Sequence, residues 1–248
     1  MTEHVQTTAA EGIATIRLAR PEKKNALSRA MYGALAAAIA EAERDAAIRV
    51  ILLAGGADFT AGNDIGDFAA RSEPGEAGAA FGFLEAMLDV AKPVVVAVRG
   101  HAVGIGTTLL LHCDVVVASE TARLMMPFTR LALVPEAGSS LLLPACVGPA
   151  QANWWLLSGT PFSGLEAQRA GLATRAVPDA EVEAAALEMA RHLASLPPGA
   201  VRESKRLIRA PGRAALQAAM AAEREAFSAR LRSEEAQAAF AGFLSRKA

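Results

Sequence analysis

The chain has 248 residues, of which 52% are hydrophobic and 5% aromatic, with a formal net charge of -1 and a pI near 6.5. That is ample apolar material for a globular core, and a charge so near zero gives no global field that would draw nucleic acid or an anionic membrane surface. Two cysteines, Cys113 and Cys146, can form neither a disulfide framework nor a zinc-like ligand set, and both are expected as core thiols.

The charge is unevenly placed. Residues 191–248 carry 11 Lys/Arg against 5 Asp/Glu, a net of +6 that leaves -7 for residues 1–190. Such a basic end suits either a phosphate-bearing ligand or the solvated faces of amphipathic helices. The N-terminal segment MTEHVQTTAAEG has neither a basic start nor an apolar run, so the expected location is the cytoplasm. Residues 137–165 carry no charge, but Pro144, Pro149 and Pro161 interrupt them too often for a membrane helix, and buried helix and loop are expected instead.

Along the chain, Ile13 to Leu18 alternates like a strand and ends at Arg20-Pro21. Ser28 can then cap a helix over Arg29 to Arg44. Val50 to Ala54, Val94 to Val98 and Val115 to Ala118 are short apolar runs of the kind buried on both faces of a parallel sheet. Between the last two lie a glycine-rich turn and a segment, Thr107 to His112, with helical spacing. This strand, turn, helix, strand unit implies parallel pairing by a right-handed crossover. Residues 71–78 form the expected mobile loop, and from Glu181 onward Ala, Leu and charged residues recur at helical spacing.

A strand running into Gly100-His-Ala-Val-Gly104-Ile-Gly106 has two readings. One is a dinucleotide turn, with Glu120 after the next strand as a ribose ligand. The chemistry of that reading fails, because the single tyrosine, Tyr32, is followed four residues later by Ala36 where a short-chain dehydrogenase needs lysine. In the other, Gly104 and Gly106 flank an exposed Ile105 amide at a helix N-terminus. A second small-residue turn, Gly55-Gly-Ala-Asp-Phe-Thr-Ala61-Gly62-Asn63-Asp64-Ile65, also follows an apolar strand, and the two together offer a pair of N–H donors for one oxyanion.

These residues resemble the crotonase (enoyl-CoA hydratase/isomerase) superfamily. Lys24-Asn25-Ala26-Leu27, Phe59 to Ile65, Gly100 to Gly106 with Cys113-Asp114, Ala167 to Ala173, and Phe240 to Lys247 carry the resemblance in family order. It implies an α/β fold, a spiral of ββα units over residues 1–190 with a helical C-terminal region, 191–248, that helps assemble a homotrimer or a hexamer of two trimers. It also implies an acyl-CoA thioester substrate with no separate cofactor or metal, since coenzyme A is part of the substrate. The amides of Asn63 and Ile105 would hold the thioester oxygen, while Lys24, Ala26, Ala61, Gly62, Asp64, Ile65, Val103, Gly104 and Pro135 would line the substrate, with Lys24 or Lys23 at a phosphate.

Hydratases of the superfamily use two glutamates. The corresponding positions here are Thr108 and Phe128, neither of which can be a general base. What remains is Glu136 in Leu133-Val-Pro-Glu136-Ala-Gly138-Ser-Ser140, a setting similar to the isomerases that convert 3-enoyl-CoA to 2-enoyl-CoA. Two other functions stay open: a hydratase or lyase working with one glutamate, and a catalytically silent acyl-CoA-binding subunit. Asp64 and Asp114 read as turn or helix-end residues, and His101 and His112 as pocket or core residues without an evident acidic partner.

Overall fold

The computed structural model describes residues 3–64, 66 and 78–245, with the side chains of 243–245 left aside. The loop expected at 71–78 lies outside these residues except for Gly78. Six strands make the main sheet, in the order β1-β2-β3-β4-β6-β9: β1 is Val5–Ala10, β2 Ile13–Leu18, β3 Val50–Ala54, β4 Val94–Val98, β6 Val115–Ser119 and β9 Arg175–Val177. Every neighbouring pair is parallel except β1 with β2.

The edge strand β1 was not foreseen. Its residues, VQTTAA, are almost wholly exposed, so no apolar alternation marks it. It is held by a two-residue turn in which Glu11 and Gly12 both take positive φ, 53° and 75°, the twist that suits a tight hairpin.

Alternation along the central strands sorts side chains onto two faces. Ile51, Leu53, Val94, Val96, Val98, Val116 and Ala118 join the larger core beneath α1, Arg29–Arg44, and α2, Gly78–Asp89. Val50, Leu52, Ala54, Val95, Ala97 and Val117 face α7, Val182–Ser195, on the other side. Burial on both faces explains why β3 and β4 read as continuous apolar runs. The 190/191 position lies inside α7.

A second, three-stranded sheet is built from β5, His101–Val103, β7, Arg123–Met125, and β8, Phe162–Ser163. The chain passes from a main-sheet strand to one of these short strands and on into a helix, as in β4, β5 and α3, Ile105–Thr108. This is the ββα spiral that the resemblance implies. After β7 come α4, Ser139–Val147, and α5, Pro149–Ser158; α6, Gly164–Ala170, leads into β9.

Three helices close the chain: α8, Pro198–Arg209, α9, Arg213–Leu231, and α10, Glu234–Ser245. Asp114 anchors them. Its carboxylate accepts from Val94 N, Lys205 Nζ and Arg209 Nη2, each at 2.7 Å, tying the start of β4 to α8. The basic excess of the C-terminal region is largely neutralised in this way. Arg202, Lys205, Arg206, Arg209 and Arg213 line a cavity of about 310 Å³ with Asp89 and Glu203. All but Arg202 stand in ion pairs there, with Asp114, Glu203 or Asp89.

Two expectations about residues 137–165 are corrected. Cys146 is exposed on α4, its thiol directed at the Gly171 carbonyl, because the apolar stretch turns only Leu143 and Ser139 fully inward in this helix. Likewise Trp154 and Leu157 on α5 are 59% and 71% exposed, so this charge-free stretch is not buried throughout.

Asn25 links the first turn to the body. It is 1% exposed, takes a left-handed φ of 54°, accepts from Arg20 N, and donates from Nδ2 to the carbonyls of Gly55 and Asp58 at 2.6 and 2.7 Å. Replacing Asn25 with Ala should leave these buried groups unpaired and lower the unfolding free energy by about 3 kcal/mol or more. Urea unfolding should show this as a lower midpoint with an unchanged slope.

Candidate active site

The two glycine turns meet side by side. Thr60 N donates to His101 O at 2.9 Å and Val103 N to Thr60 O at 3.0 Å, forming a parallel bridge between Thr60 and Ala102. On the far side of the first turn, Leu27 N donates to Gly62 O and Asp64 N to Leu27 O, at 2.7 and 2.9 Å. In such a parallel bridge the flanking residues carry the bonds, so the N–H of Asn63 itself points away from Leu27. It has no hydrogen-bond partner among the described residues.

The Ile105 amide is also unpaired, for a different reason. Ile105 is the first residue of α3, and a first-turn N–H has no acceptor within its own helix. Gly104 before it takes φ 57° and ψ -117°, a conformation open only to glycine, and a Cβ there would meet nothing within 4 Å. Gly62 is held the opposite way: a Cβ would lie 2.7 Å from Val103 O, so the turns approach this closely only because Gly62 carries no side chain.

Glu136 completes the group. It is 7% exposed, and Thr108 Oγ1, one turn along α3 from Ile105, donates to its Oε1 at 2.7 Å. Burial pushes its pKa from an ordinary 4.5 up to about 7, with Glu223 adding a smaller push in the same direction and the Thr108 hydroxyl opposing both. The other carboxylates whose pKa is displaced, among the described residues, are all displaced downward by hydrogen-bonding partners. A carboxyl poised near neutrality can both take and return a proton at physiological pH.

Tyr32 belongs to the same site, although the sequence reading used it only to exclude a dehydrogenase. Its hydroxyl donates to Asn63 Oδ1 at 2.5 Å, it is 3% exposed, and burial first and Glu136 second push its pKa well above its ordinary value. Only its place on the inward face of α1, next to Met31 and Leu35, could have suggested it from sequence.

The remaining expected residues divide. Lys24 is exposed at a left-handed turn, and its carbonyl accepts from Ala61 N at 2.8 Å, so Lys24, Ala26, Ala61 and Gly62 run along one edge of the first glycine turn. Asp64 is drawn to Arg20 Nη1 at 2.8 Å, a structural contact that leaves its backbone beside Asn63. Val103 pairs with Met125 in the small sheet, and Pro135 directly precedes Glu136. Ile65 lies outside the described residues. Phe128 is buried.

His101, expected to lack an acidic partner, has one: Nδ1 lies 2.7 Å from Asp58 Oδ1, a contact 43 residues apart in sequence. His112 has none among the hydrogen bonds described. Burial lowers its pKa to about 4, so it is neutral and donates from Nε2 to Ala137 O at 2.7 Å.

Residues 8–248 match the family described as enoyl-CoA hydratase/isomerase. Human enoyl-CoA delta isomerase 2 is 34% identical over 99% of this chain, which spans 64% of that protein, just under two thirds of its length. The 2,3-dehydroadipyl-CoA hydratase of Escherichia coli is 33% identical over 94% of this chain and 92% of its own. The solved structure of Pseudomonas aeruginosa OdaA superposes with a TM-score of 0.93 at 47% identity, covering 98% of this chain and 99% of that one. The chain belongs to the enoyl-CoA hydratase/isomerase family of the crotonase superfamily.

Proposed function

We propose that the protein moves the double bond of a 3-enoyl-CoA thioester to the 2-position, with Glu136 carrying the proton. The observation that supports this most is the buried carboxyl of Glu136, raised to about 7, beside two unpaired backbone N–H groups and with Thr108 and Phe128 where a hydratase would keep further acids. Glu136 takes a proton from C2 and the C2–H electron pair delocalises into a dienolate whose negative charge rests on the thioester oxygen. The N–H groups of Asn63 and Ile105 stabilise that oxygen, and Glu136 returns its proton at C4 as the C2=C3 bond forms. No water is consumed, so a second acid to orient one is not required.

The coenzyme A portion of the substrate would lie along Lys24, Ala26, Ala61, Gly62, Asp64 and Ile65, with Lys24 or Lys23 at a phosphate, and its thioester end between Val103, Gly104 and Pro135. A second reading, hydration with one glutamate, is favoured by the hydratase among the relatives. Assembly into a trimer or a pair of trimers is part of the proposal. Trp154, Leu157, Leu207 and Ile208, 59%, 71%, 58% and 79% exposed, are large apolar side chains that a second copy would cover.

Spectroscopic assay of 3-enoyl-CoA and 2-enoyl-CoA esters side by side should show isomerisation of the first and little hydration of the second; the reverse preference overturns the reading. Glu136→Gln should bind an acyl-CoA within a few-fold of wild type while kcat falls on the order of a hundredfold or more.

Because the carboxylate must be ionised to take a proton, kcat/KM should rise with pH through about 7 and level off above it. Thr108→Val removes a hydrogen bond that favours the ionised form, so this acid limb should move to higher pH, with a larger loss of activity at pH 6 than at pH 9. Light scattering should give a multiple of the 25.7 kDa chain mass, and a clean monomer would defeat the assembly.

A further inference from the structure

The turn that carries Glu136 is unusual in its backbone. Ala137 and Gly138 take successive left-handed φ values of 62° and 70°, which for alanine costs roughly 1 kcal/mol or more and persists only where surrounding contacts fix it. The helix that follows, α4, begins at Gly138 without any side-chain cap from its own sequence.

The missing cap comes from 85 residues away. Glu223 on α9 accepts from Gly138 N through Oε2 at 2.6 Å and from Ser140 N through Oε1 at 2.9 Å, while only 7% exposed. The helix lies directly on the turn: a Cβ at Gly138 would stand 2.3 Å from Leu216 Cδ1 and 3.3 Å from Met220 Cγ, both on α9. From the other side His112 donates to Ala137 O, and Ser139 N closes the turn onto Glu136 O at 3.1 Å. The backbone that follows Glu136 therefore has little freedom, and one carboxylate supplies two of its restraints.

We infer that Glu223 is a positioning residue for Glu136: by accepting both N–H groups it fixes the turn that aims the base. The inference rests on the reading of Glu136 as the proton carrier. The groups facing Glu136 are Thr108 from α3, Tyr32 from α1, Glu223 from α9 and, through Ala137, the neutral His112. On α9 the nearby cations are already engaged, Arg224 with Glu85 and Arg230 with Glu235 and the Ala132 carbonyl. Glu223 is thus the one charged group described that acts on Glu136, and it acts upward, with burial the larger cause.

Glu223→Gln and Glu223→Asp separate the two effects. Glutamine keeps the shape but removes the charge and turns an amide N–H toward one of the two backbone donors. Its kcat should fall on the order of tenfold to a hundredfold, as misplacement of a base does, and the acid limb of kcat/KM should move to lower pH. Aspartate keeps the charge but is too short to reach both N–H groups, so kcat should fall while the limb shifts less. Loss of thermal stability alone, with wild-type kcat and an unmoved limb in the folded variants, overturns the inference. If the glutamine variant does not fold, the aspartate variant decides, wild-type kcat counting against the proposal. Glu136→Gln measured beside them keeps the two readings apart: an inert Glu136→Gln with unaffected Glu223 variants sinks only this inference, whereas an active Glu136→Gln sinks the role of Glu136 itself.

Discussion

Keeping the carboxyl of Glu136 out of water is the constraint on which the site depends. Burial raises its pKa from 4.5 to about 7, so the folded state holds the proton more tightly than the unfolded chain does. The contribution to stability is therefore fully present below pH 4.5 and is lost as the pH rises through 7, a difference on the order of 3 kcal/mol. A buried carboxyl of this kind is destabilising at the pH where it is ionised, and the surrounding structure has to offset it. The Thr108 hydroxyl moderates the shift by donating to the carboxylate.

Several features that look like separate structural details serve this constraint. Asp114 binds β4 to α8 and so holds the C-terminal helices to the body, from which α9 reaches the turn at residues 136–140. Asn25 locks the segment before Asn63 with three hydrogen bonds, counting the Thr60 hydroxyl that donates to its carbonyl. Tyr32 engages the Asn63 side chain, leaving the Asn63 backbone N–H as the free donor. Side chain and backbone of one residue are thus assigned to different tasks by their partners.

The spiral architecture explains why two backbone N–H groups, at Asn63 and Ile105, are left without partners among the described residues. Each turn leaves the main sheet, adds a short bridge or strand to the small second layer, and returns through a helix or the next strand. At that crossing the neighbours of Asn63 are used up by Leu27, while Ile105 starts a helix that cannot satisfy it. Two N–H groups remain over because of topology, and glycine at position 62 lets the first turn close on the Val103 carbonyl.

Much of this was legible in the sequence, wherever the signal is local. The strands at 13–18, 50–54 and 94–98 and the capped helix at 29–44 follow from apolar runs and a serine cap, and the two glycine turns announce themselves by small residues after buried strands. The resemblance to the crotonase superfamily singled out Glu136, since Thr108 and Phe128 stand at the positions where it implies the acids of a hydratase. What the tertiary structure alone decided is non-local. The solvent-facing strand β1 leaves no periodic trace, Cys146 turns outward because helix phase rather than composition sets its side, and His101 meets Asp58 across 43 residues. The roles of Tyr32 and Glu223 likewise arise only when α1 and α9 close on the same turn, since a hydrogen bond depends on distance in space and the sequence records only distance along the chain.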